Sequence, residues 1–245
     1  MISLMLALAA AQAPLTEEAQ FKNCTSLAKS KPQEALSFAN EWRMKGGGVS
    51  ARQCLGLAYA ALERWAPAAV AFEQAAQEAE TAKDARRADL WAQSGNSWLA
   101  GEDGAKARKA FDSALASEGL TSELRGEVHL DRARAAVLLG DIASARADID
   151  KGLQLVARDP FAWYLSSALA LKEGKMAKAQ ADIAKAVELA PKDADVLLQA
   201  GTIAGQTGDM DAARSFYTRA ASAEPNSEAG RAASAALAEP QAPKG

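Results

Sequence analysis

Apolar residues along this 245-residue chain recur at three- and four-residue steps and rarely alternate in the two-residue period of a strand. The pattern is plainest from Ala194 to Pro225. It predicts a first helix over about Ala194 to Thr207 and a turn at Gly208-Asp209, with glycine supplying a left-handed cap. A second helix should run from about Met210 to Ala223, stopped by Pro225. Small residues (Gly201, Ala213, Ala220) stand where the two helices would cross, and Leu197 and Tyr217 fill the space between. One such pair cannot bury its own apolar face, so pairs must stack.

The same arrangement repeats. Gly140, Gly174 and Gly208 are spaced by 34 residues, as are Ala145, Ala179 and Ala213, then Ile149, Ile183 and Tyr217, and then Gly152, Ala186 and Ala220. Pro191 and Pro225 keep that step. Upstream, Gly56, Tyr59, Ala68, Phe72 and Ala75 recur as Gly95, Trp98, Ala107, Phe111 and Ala114, each 39 residues later. The extra residues fall around Glu80 to Lys83 and Leu120 to Glu123, where helix ends can lengthen without disturbing packing. Alanine dominates the composition, and only 8 prolines occur. The 49% hydrophobic share therefore forms a core of thin side chains and closely approaching helices.

Trp91-x3-Gly95-x2-Trp98 followed by Ala107-x3-Phe111-x2-Ala114 resembles the tetratricopeptide repeat signature. Leu55-Gly56-x2-Tyr59 with Ala68, Phe72 and Ala75 matches it equally well. Departures are His129 and Ala136 in the third unit, Ser167 in place of glycine in the fourth, and Ala204 in the last. The resemblance implies an all-α, right-handed superhelical solenoid of antiparallel helix pairs. Five repeats are expected across 49–226, starting near Val49, Ala88, Gly126, Pro160 and Ala194. A degenerate capping pair at 14–48, a capping helix at 227–238 and a disordered tail at 239–245 should flank them.

In that family the first helices line a concave surface. By resemblance it should carry Gln53, Asn96, Leu130, Arg134, Phe161, Tyr164, Leu171, Lys172 and Leu198. A peptide with an apolar side chain and a carboxylate would suit two aromatics, two cations and an amide. The alternative stays open that Phe161 and Tyr164 cap helix ends and Arg134 pairs with a neighbouring acid. The family's chaperone-binding class uses a Lys/Asn/Arg clamp, of which Asn96 alone falls in place. Trp91, Trp98 and Trp163 occupy packing columns and are expected in the core.

Met1 to Ala13 is uncharged and apolar, ends in small residues and meets polar Thr16-Glu17-Glu18, which resembles a secretory signal peptide cleaved near 11–13. No Lys or Arg precedes the apolar run, and an ordinary buried first helix is the alternative. The segment is too short to span a bilayer. Export would place the chain in a periplasm or outside the cell, and retention of the segment would leave it cytoplasmic. In an oxidising compartment the two cysteines, Cys24 and Cys54, suggest one disulfide, against a pair of small buried thiols.

A net charge of -3 gives no electrostatic reason to expect nucleic acid. His129 is the only histidine, so a triad or multi-histidine metal site has little to draw on, and a core imidazole is expected. Gly46-Gly47-Gly48 lacks the lysine and Ser/Thr pair of a phosphate loop. Asp148-x-Asp150 and Asp209-x-Asp211 lack the rest of a calcium loop and read as solvated helix faces. No cofactor, small-molecule substrate or catalytic residue is implied. The expected function is a non-enzymatic scaffold for a protein or peptide partner. The alternative is a structural spacer or assembly subunit in an envelope or secretion complex.

Overall fold

The computed structural model describes residues 16–238; the apolar segment at 1–13 and the tail at 239–245 lie outside them. The described residues form helices joined by short turns, with no strand among them. The fold is all-α and helical-repeat. Two compact units divide it, one ending at Leu90 and the other beginning at Trp91.

The first unit contains α1 (Glu17–Ser30), α2 (Pro32–Met44), α3 (Gly48–Ala61), α4 (Trp65–Ala82) and the start of α5 (Arg87–Ala100). Thr16 caps α1, accepting the Ala19 N–H, and Pro32 opens α2 where its missing donor costs nothing. Here α1 packs on both α2 and α3, and α3 packs on α4. Cys24, Ala39, Trp42, Ala51 and Cys54 form the core between the first three helices. The two sulfurs stand at bonding distance, with Cα atoms 5.9 Å apart. The triple glycine is a packing device: a methyl group on Gly47 would sit 2.5 Å from the Trp42 indole. Arg86 grips Asp84 through two nitrogens, donates to Ser50 Oγ at 2.8 Å and lies 4.0 Å from Glu17, tying the start of α1 to that of α3.

The second unit continues with α6 (Gly104–Ala116), α7 (Ser122–Leu138), α8 (Ile142–Leu155), α9 (Pro160–Lys172), α10 (Met176–Leu189), α11 (Ala194–Gln206), α12 (Met210–Ala223) and α13 (Glu228–Ala238). Each of these helices packs on the next, and α13 covers α11 as well as α12. Asp141 and Asp209 cap the second helix of a pair, while Thr121, Asp159 and Asp193 cap the first. From α3 onward the residue that turns the chain between paired helices is left-handed: Glu63 (φ 55), Glu102 (φ 59), Gly140 (φ 74), Gly174 (φ 71) and Gly208 (φ 84).

A single packing step recurs sixteen residues apart inside the pairs. A methyl group on Gly56 would lie 2.6 Å from the Phe72 ring, one on Gly95 2.5 Å from Phe111, and one on Gly201 2.6 Å from Tyr217. In the other two pairs Ala133 stands opposite Ile149 within one core cluster, and buried Ser167 aligns with buried Ile183. The larger the residue on the first helix, the smaller the one on the second, so each pair keeps a filled interface. Alanines 68, 75, 107, 114, 145, 179 and 186 are fully buried along the same seam. Trp91 and Trp98 are buried as expected, while Trp163 is half-buried and its indole N–H donates to the Ala157 carbonyl at 2.8 Å.

Two further expectations fail here. Leu130, expected on the exposed strip, is 1% exposed, because Gly152 on α8 leaves a hole that the Leu130 side chain fills. Asp148, expected on a solvated face, is 5% exposed. Arg132 donates to both its oxygens, at 2.8 and 2.6 Å, and His129 Nδ1 lies 2.9 Å away. The imidazole is thus nearly buried, but as a carboxylate's partner and not as an apolar filler. Arg132 also reaches Asp112 on α6 at 2.6 Å. One repeat later, buried Asp182 accepts from Ser166 at 2.6 Å, and Ser166 accepts from Arg146, which pairs with Glu173 at 2.9 Å. These chains of contacts stitch α6 to α10 through groups that desolvation would penalise if any partner were missing.

Two predictions follow from this packing. Gly95→Ala should destabilise the protein by about 1–3 kcal/mol through overpacking against Phe111. Adding Phe111→Ile, which recreates the Ala133–Ile149 combination, should recover part of that loss; denaturant titration of the double-mutant cycle measures it, and strict additivity would refute the complementarity. The second concerns acid. Desolvation pushes the Asp148 carboxyl upward, but the His129 and Arg132 hydrogen bonds outweigh it and hold its pKa at about 2. Its stabilisation is therefore complete above the unfolded value near 3.8 and fades as pH falls toward 2, by about 2 kcal/mol in all. Urea unfolding across that range should show a shallower acid slope for Asp148→Asn than for the parent.

Candidate functional site: a groove across three helices

Within the second unit, α5, α7 and α9 together line an open cavity of about 320 Å³. Its walls are apolar: Leu99 from α5, Ala133, Val137 and Leu138 from α7, and Leu165, Ala168 and Leu169 from α9. Glu102, Arg134 and Lys172 bring charge to it. Small side chains at Ala133 and Ala168 keep the cavity open between helices whose larger residues point into the seams. Leu138 is 51% exposed at its margin.

The aromatic pair lies beside this cavity. Phe161 and Tyr164 stack with ring centroids 6.1 Å apart and planes 13° from parallel, and Phe161 is 39% exposed. The Arg134 guanidinium lies 5.8 Å from the Phe161 centroid and donates to Asp131 at 3.0 Å. Arg134 does pair with a neighbouring acid, yet it still lines the cavity; the N-cap of α9 is Asp159, which leaves Phe161 free of that role.

Of the residues expected on the strip, Arg134 and Lys172 line the cavity and Phe161 and Tyr164 flank it. Exposed Asn96 on α5 hydrogen-bonds Asp131 on α7. Leu130 is buried, as described above. Leu171 and Leu198 are half-buried and pack into the adjacent cores, and Gln53 is half-buried in the first unit.

Sequence reasoning missed the acids. Glu127, Asp131, Arg134 and Leu138 follow one another at helical steps of four, three and four on α7, a stripe visible in the sequence once α7 is known to face the groove. Burial pushes the Asp131 carboxyl up; Arg134 and Asn96 pull it back down, and Asp159 adds to the rise. Burial raises Glu127 too, reinforced by Asp159, Asp131 and Glu123. The Tyr164 phenol is raised by burial and by Asp195 and Asp193. The start of α7 and the start of α9 thus carry an acidic cluster, next along the helix from the cations that line the cavity.

Among the described residues no helix is long and apolar enough to cross a membrane, and no group of three or more His, Cys, Asp or Glu is placed to hold a metal ion.

A tetratricopeptide repeat model matches residues 162–193 and 194–227. No curated protein sequence matches significantly. Among solved structures, PilW, described as a widely conserved type IV pilus biogenesis factor, is 18% identical with a TM-score of 0.72, covering 90% of this chain and 99% of that one. A tetratricopeptide repeat protein from Parabacteroides merdae is 16% identical with a TM-score of 0.68, covering 93% and 86%. YrrB, described as a tetratricopeptide protein with an unusual peptide-binding site, is 17% identical with a TM-score of 0.52, covering 82% and 99%. At these identities the likeness is one of fold. Residues 162–227 are therefore two tetratricopeptide repeats, and the pairs α3–α4, α5–α6 and α7–α8 use the same sixteen-residue packing step.

Proposed function

We propose that this chain is a non-enzymatic scaffold that holds an extended segment of a protein partner in the α5–α7–α9 groove, and that it works in a bacterial periplasm. The observation that carries the first half is the open apolar cavity beside a stacked pair of exposed Phe161 and half-buried Tyr164. Apolar walls with a few polar groups at the rim suit a side chain anchored in a cleft, and exposed aromatics give large contact area at small entropic cost. Tetratricopeptide repeats serve as protein-interaction scaffolds, and a peptide-binding site is named for YrrB. Support for the periplasm comes from the apolar segment at 1–13 and from two cysteines at bonding distance. PilW's description as a pilus biogenesis factor favours a second reading, an envelope assembly subunit that leaves the groove empty.

Leu138→Glu and Phe161→Ala separate the two readings, because both side chains are exposed and neither change should disturb the fold. With helicity and melting temperature preserved, each variant should lose the partner that the parent captures from an envelope extract. Undiminished capture would instead point to the assembly reading. Intact mass of the native protein tests export: the leader should be missing, and the remainder should be lighter by two hydrogens than the dithiol form. A chain that keeps Met1 and both thiols would end the periplasmic proposal.

A further inference from the structure

Resting on the groove reading above, we infer that the occupant is a peptide segment carrying a basic residue about five positions from a large apolar one. The groove has two ends of different chemistry, and both are written on α7. From its start one stripe of α7, at helical steps of four, four, three and four, runs Glu123, Glu127, Asp131, Arg134 and Leu138: three carboxylates, then a cation and a leucine that line the cavity. The apolar end opens into the cavity. At the acidic end Asp159, at the start of α9, adds a fourth carboxylate acting on both Glu127 and Asp131.

These acids are not all answered by the protein itself. Asp131 is taken by Arg134 and Asn96, and Asp159 caps α9. Glu123 and Glu127 make no hydrogen bond or ion pair among the described residues, and Glu127 is exposed. Arg134 is committed to Asp131 and lies over Phe161. Carboxylates pressed together and left unpaired are complementary to a ligand cation, and they repel an anionic one. Of the three charged residues at the cavity itself, Glu102 and Lys172 are of opposite sign and Arg134 is offset by Asp131, so neither sign is favoured there.

The spacing follows from helix geometry. Glu127 and Leu138 are eleven residues apart on α7, or about 16 Å at 1.5 Å per residue. An extended chain covers that span in about five residues. A Lys or Arg over Glu127 and Asp159 therefore places a Leu or Phe five positions away at the cavity, with Phe161 and Tyr164 alongside the backbone between them.

The test uses the full chain and three fluorescein-labelled peptides in a Ser/Gly background. One carries Lys-Lys five positions from Leu, the second Glu-Glu in place of the lysines, and the third Ser in place of leucine. Fluorescence anisotropy should show the first binding about tenfold or more tighter than either of the others, with affinity falling as salt rises. Glu123→Gln/Glu127→Gln, both at solvent-facing positions, should shrink the lysine-over-glutamate preference by about fivefold or more with helicity unchanged. Equal or tighter binding of the glutamate peptide overturns the inference; if Phe161→Ala also abolishes that binding, the groove reading survives. Failure of all three peptides to bind overturns the inference and counts against the groove as well.

Discussion

The structure depends on how closely two helices can approach when one of them carries a glycine or alanine at the crossing. At Gly56, Gly95 and Gly201 an aromatic ring from the partner helix occupies the place of a β-carbon. Such contact gives each pair a dense interface but leaves it thin, with no interior of its own. Every remaining apolar face must then be covered by the next pair. The alanines that line the seams, fully buried at 107, 114, 145, 179 and 186, extend the approach along the helix length. Close packing also explains the turns. With helices this near, a single left-handed residue must reverse the chain, and where the sequence offers Glu63 or Glu102 in place of glycine the backbone takes the strained conformation anyway.

Alanine interfaces hold helices close, but they offer little shape to fix register. The polar chains from Asp112 to Asp148 and from Arg146 to Asp182 supply that. Arg132 must lie between two carboxylates on different helices, and Ser166 must accept from Arg146 while donating to Asp182. A one-residue slip would leave buried charge without a partner, a cost of several kcal/mol that no gain in apolar contact offsets. Fixed register matters to the groove as well, because its walls come from three separate helices whose side chains must stay aligned.

Much of this was legible in the sequence, for a definite reason. The 34-residue ladder marks positions where only small residues fit, and those positions determine which helices touch. The turn glycines at 140, 174 and 208 and the bounds of α12 followed from it directly. What stayed hidden depends on pairs. Leu130 is buried because Gly152, far along the chain, makes room for it; neither residue announces this alone. Asp148 looks like any solvated acid until His129 and Arg132 are brought to it from the opposite helix. The acidic stripe of α7 is a pattern in the sequence, but which of its carboxylates find a partner depends on Asn96 and Asp159, which only the fold brings to it.

The groove's chemistry follows from where the scaffold can spare its charges. On the side where α7 meets α8, carboxylates are neutralised within the fold, and the depressed pKa of Asp148 reflects how fully. Toward the start of the same helix Glu127 stays unneutralised, its pKa raised by burial and then by its acidic neighbours. Repulsion there weakens the free protein slightly, yet it persists in a chain that elsewhere pairs buried charges with care. A fold built only for stability would gain by placing a lysine at position 127 on α7. Leaving the acids open costs little because water screens them, and it becomes favourable once a cationic segment displaces that water.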